Sequence, residues 1–212
     1  MGGVNVVIEI AKNSHIKYEY DKERNMIMCD RILHTPMKYP FNYGFIPDTL
    51  SEDGDPLDVV VLMDDKLVPG CMIKCKILGY LETRDDAGND PKLIVCPFFT
   101  VDPMWDDVDD LFNINEGAND NEITKTTNKS KINTHTLTRI KYFFEHYKDL
   151  ENKKVYVGDF HNRDAALTVY QDSIMRFKIN AVLKSKTVDT ESNIFSEIFA
   201  QKTKITDFFK RI

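Results

Sequence analysis

Long apolar runs are missing from these 212 residues. No stretch approaches the roughly 20 apolar residues needed to span a bilayer. The amino terminus, Met1-Gly2-Gly3-Val4-Asn5, has no basic region followed by an apolar stretch. No secretory signal is therefore expected, and the chain reads as cytoplasmic. Cysteine is scarce: Cys29, Cys71, Cys75 and Cys96 are the only four, all inside apolar segments. Cys71 and Cys75 lack a second Cys or His pair at zinc-site spacing, so buried free thiols in a reducing compartment are the expectation. Basic residues do not predominate either. With 28 Lys and Arg against 34 Asp and Glu, the formal net charge is −6, which argues against a nucleic-acid binder. No internal repeat is present. What remains, 42% hydrophobic and 29% charged, suits an ordinary soluble globular protein with one sizeable core.

The first hundred residues read as β structure. Short strand-like runs are expected over 4–10, 16–20, 26–32, 58–63, 72–82 and 92–97, separated by polar turns. The 58–63 run is almost wholly apolar, as for a strand covered on both faces. Residues 39–44 read as a compact aromatic turn. Many short strands in a small domain suggest a barrel or sandwich, because closure removes exposed edges.

From Asn113 to Asn133 the sequence is rich in Asn, Thr and Lys, has little to bury, and reads as a mobile loop. A helix follows over 134–150, with Leu137, Ile140, Phe143 or Phe144, and Tyr147 on one face. Asn162 is placed to cap a second helix over 163–183, striped by Ala166, Leu167, Tyr170, Ile174 and Phe177. The tail from 185 is polar at first and then helix-like, with phenylalanines and isoleucines on one face.

The densest chemical signal is Glu52-Asp53-Gly54-Asp55-Pro56-Leu57-Asp58. Carboxylates this close repel one another unless cations lie between them, and hard divalent cations prefer oxygen ligands. Gly54 and Pro56 force a tight turn that aims several carboxylates at one place. By itself the cluster reads more readily as a solvated acidic loop, because polar clusters commonly mark loops. A second acidic turn, Asp85-Asp86-Ala87-Gly88-Asn89-Asp90, is followed by Lys92. It also has the makings of a plain polar hairpin. Two acidic turns at strand ends strengthen the case for a shared metal site. Lys17 and Glu19 share one face of a strand, Arg31 ends the next, and Tyr147-Lys148 close the first helix. Together with Tyr39 and Tyr43 they offer a polyanion the donors it needs.

With these residues in view, the chain resembles the soluble family I inorganic pyrophosphatases of the short, bacterial- and plant-like type. Asp53-Gly54-Asp55-Pro56-Leu57-Asp58-Val59 fits that family's specific signature. The resemblance runs from Val6 to about Lys178 and includes Ile16-Lys17-Tyr18-Glu19, Asp30-Arg31, Tyr39-Pro40-Phe41-Asn42-Tyr43-Gly44 and Phe143-Phe144-Glu145-His146-Tyr147-Lys148-Asp149.

The resemblance implies a mainly β, α+β fold: a five-stranded closed OB-like barrel with two main helices. One domain would span 1–184, with 113–133 an inserted loop and 185–212 a helical extension. It implies Mg²⁺-dependent hydrolysis of inorganic pyrophosphate, with several ions per site. Asp53, Asp58 and Asp90 would hold the tightest metal, and Asp85 and Glu9 those arriving with substrate. Asp55 would deprotonate the attacking water. Lys17, Arg31, Tyr43, Lys92, Tyr147 and Lys148 would bind phosphate oxygens, with Glu19 and Tyr39 in support. It further implies a homo-oligomer, a hexamer before a dimer or trimer. Tyr142 departs from the histidine that some hexameric relatives place there.

Two rival readings are a relaxed metal-dependent phosphatase acting on nucleotides and an OB-type module for single-stranded nucleic acid. The second would need exposed aromatics beside a basic groove, whereas here tyrosines alternate with carboxylates in an acidic chain.

Overall fold

In the computed structural model of the chain, residues 3–86, 88–112, 132, 134–151 and 153–185 are described. The 113–133 segment, apart from Ile132, and the tail from residue 186 lie outside them. Among the described residues, nine strands and two α-helices follow in order: β1 (Val4–Ile10), β2 (Ile16–Asp21), β3 (Met26–Ile32), β4 (Asn42–Ile46), β5 (Leu57–Val61), β6 (Met72–Asp85), β7 (Gly88–Asn89), β8 (Lys92–Pro97), α1 (Thr134–His146), β9 (Tyr156–His161) and α2 (Arg163–Ser185).

Five strands form a ring. β1 pairs with β4, β4 with β5, β5 with β8, β8 with β6, and β6 returns to β1. Only the β5–β8 step is parallel. This is the expected five-stranded OB-like barrel. β9 and β7 extend the sheet from the long β6, and β2–β3 form a separate hairpin. Each ring strand thereby pairs with a ring neighbour on both sides.

The side chains explain the ring. Val59 and Val61 enter one buried cluster with Val6, Ile8, Ile73, Leu93 and Val95. Val60 points the other way, into a second cluster with Ile94, Cys96, Tyr43, Ile140, Phe143 and Phe144. The apolar run of β5 is therefore covered on both faces, as its lack of alternation predicts. α1 supplies Ile140, Phe143 and Phe144 to the second cluster, and Tyr147 and Leu137 join them. The helix ends at His146, short of the predicted 150. A turn and a 3-10 segment (Asp149–Glu151) follow it. Asn162 caps α2 as expected, its side-chain oxygen accepting from the Ala165 amide at 3.1 Å. Ala166 is buried, while Leu167 and Tyr170 are only partly covered.

Three expectations need correction. Residues 39–44 are not simply a turn: Asn42–Ile46 is a ring strand, wholly buried. Both of its faces are covered, so no alternation betrays it. Gly44 is required there, because an added Cβ would lie 1.9 Å from the Val7 carbonyl oxygen across the ladder. Cys29 is exposed because β3 belongs to the outlying hairpin rather than the ring, and Cys71, just before β6, is half-buried; only Cys75 and Cys96 are buried, and none of the four forms a disulfide. Ile132, near the end of the segment read as having little to bury, sits in the second cluster. No helix among the described residues is long and apolar enough to cross a membrane.

Candidate active site

The two acidic turns open into one cleft of about 210 Å³ at one side of the barrel. In the first turn the Asp55 amide donates to Asp53 Oδ1 at 3.0 Å, and the Ser51 amide to the Asp55 carbonyl at 2.7 Å. Gly54 adopts φ 95°, a left-handed conformation that costs glycine little and other residues more. This turn delivers Asp53 and Asp55 to the cleft, and β5 then delivers Asp58. From the other side come Asp85 at the end of β6, Asp90 after β7 and Lys92 at the start of β8.

The parallel register sets Val59 beside Leu93, so Asp58 and Lys92, one residue earlier on each strand, are also side by side. Lys92 Nζ lies 2.5 Å from Asp58 Oδ2 and also contacts Asp90 Oδ2. Burial alone would lower the Lys92 ammonium, but Asp58 and Asp90 outweigh it and raise it above its ordinary value. Lys92 is therefore a fixed positive charge between two carboxylates.

The rest of the cleft is built around this pair. Glu9, on β1, is buried and accepts the Tyr20 amide at 2.7 Å. Desolvation, then the charge of Asp58, pushes it up to about 8. Asp53 is raised by burial first and by Asp58 next. Asp90 is raised by burial, with Asp58 adding to it and Lys92 opposing. Tyr43 donates to Asp58 Oδ2 at 2.6 Å. Burial chiefly raises Tyr39, Tyr43 and Tyr147, which keeps all three as neutral O–H donors. Lys148 is lowered by burial and then by the neighbouring Lys92 charge. Lys17 and Glu19 share a face as predicted and form an ion pair, and Lys17 also lies 3.5 Å from Asp30.

Of the residues singled out from sequence, Glu9, Lys17, Glu19, Tyr39 and Tyr43 line this one cleft. So do Asp53, Asp55, Asp58, Asp85 and Asp90, together with Lys92, Tyr147 and Lys148. Arg31 is the exception. Its Nε and Nη2 donate to the two oxygens of Glu151 at 3.0 and 2.7 Å, and Nη1 contacts Asp30. Burial would lower this guanidinium, but Glu151 and Asp30 raise it. Glu151 was not visible as a site residue because 120 positions separate it from Arg31. Lys22 was also missed. It lines the cleft from the tip of the β2–β3 hairpin, with Nζ 3.8 Å from Asp55 Oδ1. Its sequence context is an ordinary polar turn.

The comparisons with known proteins point the same way. The pattern of the inorganic pyrophosphatase family matches residues 6–178. The chain belongs to the inorganic pyrophosphatase family. An inorganic pyrophosphatase of Xylella fastidiosa is 40% identical over 177 residues, covering 82% of this chain and 89% of that protein. One from Helicobacter pylori is 41% identical over 174 residues, covering 82% and 90%. The solved structure of an inorganic pyrophosphatase from Helicobacter pylori superposes with TM-score 0.73 at 40% identity, covering 84% of this chain and 94% of that one. The Thermus thermophilus structure gives 0.70 at 36% identity, covering 84% and 92%.

The donor chemistry of this family member's cleft suits hard divalent cations. Seven carboxylates face four lysines, and no thiol or imidazole lines it. Among the described residues no three acids converge on a single ion position, and Lys92 stands between Asp58 and Asp90.

Proposed function

We propose that this inorganic pyrophosphatase family member hydrolyses inorganic pyrophosphate to two phosphates with Mg²⁺ as its cofactor. The single observation that supports the reading best is the joining of both acidic turns, four lysines and three buried phenols in one cleft. A polyanion needs such cations and donors, and an excess of carboxylates beside it makes sense only when divalent cations enter too.

In this reading Asp53, Asp58 and Asp90 hold one cation, and Asp85 and Glu9 help to hold those that accompany substrate. When bound, these ions neutralise phosphate charge and make the attacking water more acidic. The remaining work belongs to the protein's own groups. Asp55, exposed at the mouth of the first turn, accepts the proton of a water whose oxygen forms the new bond to phosphorus. The bond from that phosphorus to the bridging oxygen breaks, and the electron pair leaves with the second phosphate. Lys17, Lys92 and Lys148 offset the charge on the phosphoryl oxygens, and Tyr43 and Tyr147 donate neutral hydrogen bonds. Arg31 joins them once a phosphate competes with Glu151 for its guanidinium. Glu19 and Tyr39 support this array through Lys17 and the aromatic cluster. No covalent enzyme intermediate is needed, because water is the nucleophile. The exposed ring of Tyr142, 4.3 Å from that of His146, fits a place on a homo-oligomer interface.

The test is phosphate release from pyrophosphate and from ATP, each with and without Mg²⁺. Rapid Mg²⁺-dependent release from pyrophosphate, with little from ATP, is expected. Comparable release from ATP would indicate the relaxed phosphatase reading instead.

A further inference from the structure

The two acidic turns are also joined behind the cleft, by residues that do not line it. Glu52 precedes Asp53 and Asn89 precedes Asp90. Glu52 and Asn89 line a separate cavity of about 330 Å³, which lies between the turns and α2. There Asn89 Nδ2 donates to Glu52 Oε2 at 2.9 Å, across 37 positions of sequence. Arg84 Nε donates to Asn89 Oδ1 at 3.1 Å, which fixes the amide so that its nitrogen faces Glu52. On the other side, Arg176 of α2 donates to the Leu50 carbonyl at 2.7 Å and approaches Glu52 Oε1 to 3.8 Å. The Leu50 amide in turn donates to the Ser173 carbonyl at 3.0 Å. A continuous line of contacts therefore runs from α2 through the first turn to the second turn and β6.

We infer that the Glu52–Asn89 hydrogen bond is a clamp that sets the spacing of the two acidic turns and thereby raises the protein's affinity for divalent cations. Glu52 and Asn89 are positioning residues in this scheme. The inference rests on the proposed use of Asp53, Asp58 and Asp90 as metal ligands. The physical reason is repulsion: with no metal bound, the carboxylates of the two turns repel one another, and Lys92 offsets this directly only between Asp58 and Asp90. Within the first turn the backbone bonds are local, from Ser51 to Asp55 and from Gly54 to Ser51, and hold nothing against the second turn. The Glu52–Asn89 bond opposes the separation. The two turns pack closely here: a Cβ built on Gly88 would make an ordinary contact with Glu52 Cβ at 3.7 Å. Ligands held at their working separation before the ion arrives bind it more tightly, as outer partners of metal ligands commonly ensure.

The test is calorimetric titration of the full chain with Mg²⁺, without substrate, for wild type, Glu52→Ala, Glu52→Gln, Asn89→Ala and the double alanine variant. Thermal melting and phosphate-release kinetics accompany each. Either alanine variant should weaken Mg²⁺ binding about two- to tenfold, the scale of one lost hydrogen bond. The double variant should be no weaker than the worse single one, because both remove the same bond. Glu52→Gln keeps an acceptor oxygen and should bind as wild type does. At saturating Mg²⁺ all variants should keep kcat within about twofold and melt as wild type does, a pattern that general unfolding would not give. Equal Mg²⁺ affinity in wild type and both alanine variants overturns the clamp. So does a loss in Glu52→Gln as large as in Glu52→Ala, which would assign the effect to charge alone. A wild-type chain that neither binds Mg²⁺ nor releases phosphate overturns the proposed function, and the clamp with it.

Discussion

The ammonium of Lys92 lies 2.5 Å from Asp58 Oδ2 and also contacts Asp90 Oδ2, so one buried cation ties β5 to the end of the second acidic turn. Its position follows from the parallel pairing of β5 with β8. Removing that charge leaves two carboxylates facing each other and, in the proposed function, takes a cation from the phosphates. Lys92→Met should lower kcat/KM for pyrophosphate about 10²–10³-fold, the scale for loss of one preorganised charged donor. Calorimetry should meanwhile show Mg²⁺ binding kept or strengthened, because Asp58 and Asp90 are released to the metal. Weakened Mg²⁺ binding would mean that Lys92 organises the ligands instead of competing with the ion.

The Asp55 side chain is well exposed and lies 3.8 Å from the exposed Lys22 Nζ, so replacing its carboxylate should leave folding alone. Asp55→Asn should melt at the wild-type temperature while turnover drops roughly 10²–10⁴-fold, as for loss of a general base. Turnover near that of wild type at saturating Mg²⁺ would exclude Asp55 from proton transfer.

How much of this was legible beforehand differs from residue to residue. Asp53, Asp55 and Asp58 are contiguous and sit at a Gly-Pro turn before an apolar run, so their convergence could be read directly. Lys17 and Glu19 followed from strand alternation. β4 escaped notice because a strand buried on both faces shows no period, and Tyr39-Pro40 before it imitates a turn. β9 was missed because its Tyr156–His161 run mixes polar and apolar residues, and it owes its form to pairing with β6. The partners Glu151 and Asn89 lie 120 and 37 positions from the groups they hold, and no local pattern announces them.

Glu9 gives the stability of the metal-free protein a definite pH dependence. Burial, then Asp58, raises it from 4.5 to about 8. Between these values the folded protein keeps a proton that the unfolded chain has released. The stability it contributes is complete below pH 4.5 and is lost as pH rises through about 8. Within that window the slope is about −1.4 kcal/mol per pH unit for one such group. Denaturant unfolding in the absence of divalent cations, from pH 5 to 9, measures it. Added Mg²⁺ should expel the proton, and calorimetry in buffers of different ionisation enthalpy should show more proton release at pH 6 than at pH 9. A rise in metal-free stability across this range would contradict the burial of Glu9.

The Arg31–Glu151 pair is bidentate, and Glu151 is almost fully covered, with its side chain 5% exposed. Glu151→Ala removes two charge-assisted hydrogen bonds and should cost about 1.5–3 kcal/mol of unfolding free energy. Urea unfolding checks this, and an unchanged midpoint would show that the pair adds nothing to the fold.

The proposed metal ligands carry the central claim. Phosphate release from pyrophosphate, followed across a Mg²⁺ titration for wild type and Asp58→Ala, tests it most directly. Wild type should be inactive with chelator and saturate with Mg²⁺, while Asp58→Ala should need a higher Mg²⁺ concentration and reach a lower plateau. Hydrolysis by wild type that persists in chelator, or a Mg²⁺ midpoint unchanged by Asp58→Ala, would contradict the account.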